Sequence, residues 1–177
     1  MYGIIDFEAA STDSGMVTEA AYLLIDASGE VVDRYHALVK PYKVVKSLET
    51  SRYVYRNVTG LSFKLLRENG VPVQQVKENL LRAVEEHPSA TWLARDPKLE
   101  NWVLWEWFGR DGLVREVADF IGRPEYRSRR GRPPKPASLP RCRFHDAVRR
   151  GEPHCALNDV FEQHCWLKTF LTERPPQ

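Results

Sequence analysis

Along the first part of the chain, short apolar runs alternate with polar turns. Tyr2-Gly3-Ile4-Ile5-Asp6-Phe7-Glu8-Ala9 is an apolar run interrupted by two acids at i and i+2, and it predicts a strand. Ala10-Ser11-Thr12-Asp13-Ser14-Gly15 has turn composition. Val17 to Ile25 then predicts a second strand, Asp26-Ala27-Ser28-Gly29 a reversal, and Val31 to Val39 a third strand ending at Lys40-Pro41. Three strands joined by short turns predict an antiparallel meander. From about residue 45 the pattern turns helical, with Leu61 to Leu66 following the Thr59-Gly60 break. A longer helix over Val73 to His87 carries Val73, Val76, Leu80 and Val84 on one face.

Ser89 to Ala94 predicts a short fourth strand, and Leu99 to Phe108 a Trp-rich helix behind Pro97. Leu113 to Ile121 fits either a fifth strand or a short helix, and periodicity does not separate the two. From Gly122 to Arg141 the composition shifts to Pro, Arg and Gly, which cannot bury a core, so residues 123–141 are expected to form a basic loop. A helix over about Cys155 to Leu171 and a polar, Pro-rich tail close the chain. The sum is a mixed α/β sheet, a three-stranded antiparallel meander plus parallel strands, flanked by helices. This is the layout of the ribonuclease-H-like architecture.

Composition narrows the class. The chain has 177 residues, 42% of them hydrophobic, with five Trp, which is consistent with a single packed domain over 1–177. No apolar run reaches membrane-spanning length, no basic-then-apolar leader opens the chain, and three Cys argue against a disulfide framework. The expectation is an intracellular chain, cytoplasmic or nuclear, with no membrane partner. A formal net charge of +2 conceals a basic cluster late in the sequence.

The acids carry the first candidate chemistry. Period 2 puts Asp6 and Glu8 on one face of a strand, and two like charges on an otherwise buried strand are costly unless a cation lies between them. A strand end with solvated acids is the plain alternative. Further acids sit at Glu100, in the Trp-rich helix, and at Asp159, near the start of the last helix, which His154 precedes. With Ile5-Asp6-Phe7-Glu8, Thr59-Gly60-Leu61, the stretch Ala94 to Glu100 and His154-Cys155-Ala156-Leu157-Asn158-Asp159 read in order, the chain resembles the DEDDh-type 3′–5′ exonucleases. It departs from them at Glu100, where the family has Asp. The resemblance implies two Mg²⁺ or Mn²⁺ ions held by Asp6, Glu8, Glu100 and Asp159, with His154 as general base.

A second constellation is soft. Cys142, His145 and Cys155 form C-x2-H-x9-C, three good zinc ligands, against the plain reading of buried cysteines. His164 and Cys165 are candidates for a fourth. The stretches from Glu19 and through Tyr35 to Pro41 resemble the Maelstrom domain, a branch of the same superfamily with a Glu-Cys-His-Cys zinc set. That resemblance implies one structural zinc on Glu19, Cys142, His145 and Cys155.

The basic loop offers Arg127, Arg129, Arg130, Arg132 and Lys135 for phosphate contact, and Arg130-Gly131-Arg132-Pro133 resembles the core of an AT-hook. Trp102, Trp105 and Trp107 are expected to pack in the core with one facing out. Together these features imply a metal-dependent nuclease acting on single-stranded RNA or DNA. The alternative is a catalytically inactive Maelstrom-type nucleic-acid-binding module in small-RNA silencing.

Overall fold

The computed structural model describes residues 1–10, 16–43, 48–128, 131–133, 136, 139–140, 144–145 and 154–173. Five strands, β1 (Tyr2–Ala9), β2 (Val17–Ile25), β3 (Val31–Leu38), β4 (Thr91–Ala94) and β5 (Val114–Glu116), form one sheet in the order β3-β2-β1-β4-β5. The first three are antiparallel neighbours, and β4 and β5 run parallel to β1. The expected mixed sheet with its meander is therefore observed. The helices are α1 (Leu48–Val54), α2 (Phe63–Asn69), α3 (Val73–Glu86), α4 (Lys98–Phe108), α5 (Val117–Phe120) and α6 (Ala156–Glu173).

Alternation along β1 sorts the layers. Ile5 and Phe7 join a cluster with Val76, Leu80, Val103 and Leu104, which places α3 and α4 on one face. Ile4 joins Ala21, Leu23, Leu93, Val160 and Leu167, which places α6 on the other. β2 is buried at every position because it is central and covered on both faces. Gly3 is required where β1 passes β4: a Cβ there would lie 2.5 Å from the Trp92 ring.

The ambiguous 113–121 segment resolves into both elements, since Val114–Glu116 pairs with β4 and Glu116 then caps α5 through its carboxylate. Two of the three tryptophans of α4 face outward rather than one: Trp102 and Trp105 are exposed, whereas Trp107 packs edge-on against Phe7. The helical spacing explains this, because residues 100, 103, 104 and 107 take the sheet-facing side and leave 102 and 105 opposite. No described helix is long and apolar enough to cross a membrane.

Candidate active site and metal centre

Pairing between β1 and β4 ends at Ile4↔Leu93, so the last residues of β1 border a crevice at the carboxyl end of a parallel pair. Asp6 and Glu8 share the face that carries α6, and each is 8% exposed. Glu100 comes from the first turn of α4 and sends Oε1 to accept the Phe7 N–H at 3.2 Å, an amide beyond the reach of β4. Asp159 lies in the first turn of α6, on the same side as Glu8. His154, just before α6, has Nδ1 3.8 Å from Asp159 Oδ2 and 4.0 Å from Glu8 Oε1, and its ring is half-exposed. All five residues line one open cleft of about 260 Å³, together with Arg95, Asp96 and Lys98.

The cleft is short of positive charge. Burial, followed by the charges of Asp159, Glu100 and Glu8, holds the Asp6 carboxyl well above its ordinary range. Burial, Asp159 and Glu19 do the same to Glu8. Glu100 is pushed up to about 7, by burial first, against the main-chain N–H groups of Glu100 and Phe7. Its second oxygen, Oε2, is buried and has no hydrogen-bond partner among the described residues. Such an atom is costly unless a cation or water engages it. Oxygen donors around an unneutralised centre fit hard divalent ions, and single ligand atoms of Glu8, His154 and Asp159 lie within 4.8 Å of one another.

Arg95 lines the same cleft, although the sequence pattern does not single it out. It follows β4 directly, its side chain is 16% exposed, and its guanidinium holds both oxygens of Asp159, Nη2 to Oδ2 at 3.0 Å and Nη1 to Oδ1 at 3.4 Å. The available signal is its position directly after the fourth strand, at the head of the mixed-charge stretch from Ala94 to Glu100.

The soft residues converge one strand away. Glu19 is the register partner of Glu8, so the two project from the same face of neighbouring strands. Glu19 is fully buried. His145 Nε2 lies 3.0 Å from its Oε2, His36 Nε2 lies 2.6 Å from Oε1, the Cys155 thiol lies 3.5 Å from Oε1, and the Ala156 N–H donates to Oε2 at 3.0 Å. Burial alone would raise the Glu19 carboxyl, but hydrogen bonds from His145 and His36 outweigh it and bring it down to about 2. His145 Nδ1 donates to the Thr59 carbonyl, and Nε2 is the atom turned to Glu19, a donor to its carboxylate when the ring carries both protons and a metal ligand when Nε2 is bare. Glu19, His145 and Cys155 present a carboxylate oxygen, an imidazole nitrogen and a sulfur within 4.8 Å of one another, a donor set suited to zinc. Cys142 lies outside the described residues. His164 and Cys165 are elsewhere: His164 bonds the Gly29 carbonyl, and Cys165 lines a separate pocket between α6 and the 121–136 segment.

The Thr59-Gly60-Leu61 motif links the two centres. A π-helical turn over Tyr55–Thr59 ends at Gly60 in the left-handed conformation, φ 69°, which favours glycine. The turn presents the Val58 carbonyl to the His154 N–H at 2.7 Å and the Thr59 carbonyl to His145. Of the loop cations, Arg127 pairs with Asp119, and Arg132 donates to the Tyr126 and Arg127 carbonyls at 2.9 and 3.1 Å. Arg129, Arg130 and Lys135 lie outside the described residues.

The sequence matches no family model and no curated protein. Solved structures match over nearly the whole chain. The ssDNA complex of E. coli exonuclease I in its zinc-bound form aligns with a TM-score of 0.66 at 15% identity, covering 98% of this chain and 41% of that one. The fold is an exonuclease fold. The nuclease domain of 3′hExo, a DEDDh family member solved bound to rAMP, aligns at 0.57 and 15% identity over 98% of this chain and 92% of that one. The chain spans about 41% of the length of the exonuclease I structures it matches. Exonuclease I was also solved with a dA16 oligonucleotide.

Proposed function

We propose that this chain is a metal-dependent nuclease of the DEDDh type, hydrolysing phosphodiester bonds of single-stranded RNA or DNA from the 3′ end. One observation supports this most: Asp6, Glu8, Glu100, His154 and Asp159, drawn from β1, α4 and the entry of α6, line one cleft that has excess negative charge and a buried carboxylate oxygen without a hydrogen-bond partner among the described residues. Asp6, Glu8, Glu100 through Oε2, and Asp159 are the residues that hold divalent ions here. Two Mg²⁺ or Mn²⁺ ions supply water activation and charge neutralisation at a phosphate when bound.

The chain's own groups do the rest. His154 is exposed enough to meet water and close enough to Glu8 and Asp159 for those acids to orient its ring, so it takes the proton of the attacking water. Glu100 fixes the carboxyl end of β1 through the Phe7 amide, which holds Asp6 and Glu8 at a constant spacing. Lys98, exposed at the cleft rim, attracts the phosphodiester backbone. Arg127, Arg129, Arg130, Arg132 and Lys135 add phosphate contacts.

Glu19, Cys142, His145 and Cys155 hold one structural zinc in this reading, which makes the chain a Maelstrom-like member that keeps both the acidic and the soft set. A linear single strand bearing a 5′ label should shorten stepwise from its 3′ end and release nucleoside monophosphates, while a circular strand of the same composition resists. Equal cutting of both would replace the exonucleolytic reading with an endonucleolytic one.

A specific observation favours a second reading. Both oxygens of Asp159 are engaged by Arg95, and Glu100 stands where the related enzymes have Asp, so the fold can serve as a noncatalytic nucleic-acid platform of the Maelstrom type.

A further inference from the structure

Arg95 occupies a peculiar position for a site that holds divalent cations. Its fork lies on Asp159 in bidentate geometry, and its charge acts on Asp6, Glu8 and Glu100 as well. It is mostly buried, so the pair is poorly screened and neither partner is freely replaced by water. A metal ion taking an oxygen of Asp159 must compete with this guanidinium. On the other flank no guanidinium hydrogen bond to a ligand atom is present among the described residues, and Glu100 Oε2 has no hydrogen-bond partner there.

We propose that Arg95 is a built-in cation that latches the Asp159 half of the cleft, so that the two ion positions fill unequally and the second fills only when Arg95 releases Asp159. The released guanidinium stays within the cleft, where a scissile phosphate is the anion available to it. Charge accounting is consistent with that exchange. Four carboxylates, two divalent ions, one guanidinium and one phosphodiester sum to zero, so the latch opens without net charge when substrate arrives with the second ion. The cleft is thereby protected from full metal loading in the absence of a strand. This inference rests on the nuclease reading above.

The test is a Mn²⁺ titration of the wild type, Arg95→Met and Arg95→Lys, reading free Mn²⁺ by electron paramagnetic resonance and apo stability by thermal melting. The wild type is expected to bind one ion and then a second at least about tenfold more weakly, since a charge-assisted pair is given up for the second. Arg95→Met keeps much of the bulk and removes the charge. It should strengthen the weaker constant by about tenfold or more and leave the stronger one nearly unchanged. Its apo protein should melt lower and gain more from Mn²⁺ than the wild type does. Arg95→Lys keeps the charge without the fork, remains folded if Arg95→Met does not, and should give an intermediate second constant. Adding a single-stranded oligonucleotide with hydrolysis-resistant phosphorothioate linkages, read before turnover, should strengthen second-ion binding in the wild type more than in Arg95→Met. Two measurable and unchanged constants in both variants overturn the latch while leaving the metal reading intact. Mn²⁺ binding in no protein overturns both. Binding in Arg95→Met alone contradicts an unhindered first position and overturns the unequal filling.

Discussion

Glu8 and Glu19 are register partners on one face of adjacent strands, yet their surroundings drive them in opposite directions. Glu19 is met by two imidazoles, a thiol and the first amide of α6, and its carboxyl falls to about 2. Glu8 is met chiefly by burial, Asp159 and Glu19, and its carboxyl rises. The same residue type, buried in both places, is thus a satisfied structural anchor in one centre and an unneutralised charge in the other. The number of N–H donors facing each carboxylate decides which. A buried acid with its own donors holds a fold together, whereas a cluster of acids without them is a standing demand for external cations. The soft centre pins β2, β3, the His145 segment and the start of α6, and by fixing α6 it also sets where His154 and Asp159 stand.

The comparison breaks most readily at Glu19. Replacing it with Ala should cost about 3–5 kcal/mol, the usual penalty for leaving buried partners uncompensated, and under the proposed zinc reading should lower the metal content of freshly prepared protein from an expected value of about one zinc per chain. Thermal melting with elemental analysis checks both. Asp6→Asn should do the opposite in metal-free protein and raise the melting temperature, because it removes one of several mutually repelling buried carboxyls. A loss of stability at Asp6 comparable to that at Glu19 would erase the distinction between the centres.

Next in size is His154→Ala, expected to slow hydrolysis by about 10²–10⁴-fold, the range for a positioned base, while the half-exposed ring costs little stability. Single-turnover rates at saturating Mn²⁺ read this out. Glu100→Asp should be milder. The shorter side chain cannot both reach the Phe7 amide and keep its second oxygen in place, so stability drops by about 0.5–1.5 kcal/mol and the rate falls as well. A rate that rises would mean that the site is compromised by the longer acid rather than adapted to it.

The smallest effect separates the centres by pH. Without added divalent ions, the raised Glu100 carboxyl contributes stability that is full below its ordinary 4.5 and is lost as pH climbs through about 7, and Asp6 and Glu8 act in the same sense. Glu19 contributes above 4.5, and its share is lost as pH falls toward about 2. Melting temperatures across pH should therefore fall on both sides of a mildly acidic maximum. Mn²⁺ should flatten the alkaline limb, and Glu19→Gln should remove the acidic one. An alkaline limb that Mn²⁺ leaves unchanged would place its origin outside the cleft.

Much of the fold was legible because α3 carries a period-3.6 pattern, and the apolar runs of the first three strands are separated by turns of unambiguous composition. The segment over Val114–Phe120 was not, since a strand of three residues running straight into a helix of four has no period to read. Sequence placed Asp6 and Glu8 together through strand period alone. Bringing Glu100, His154 and Asp159 to the same cleft needed the family resemblance, because contacts across more than ninety residues leave no local signal. Arg95 and His36 were missed for a related reason. A single Arg after a strand, and a His within an exposed edge strand, look like surface residues until the fold sets a buried carboxylate against each.

The most direct test of the central claim compares zinc-replete wild type with Asp6→Asn on a labelled single strand of RNA and of DNA, with Mn²⁺, Mg²⁺, Ca²⁺ or no divalent ion. The account predicts hydrolysis by the wild type with Mn²⁺ or Mg²⁺ and none with Ca²⁺, which is larger and more loosely coordinated. It predicts none by Asp6→Asn, which should remain folded, keep its zinc and still bind the strand. Folded, zinc-replete wild type that cleaves neither nucleic acid beyond the Asp6→Asn background would contradict it.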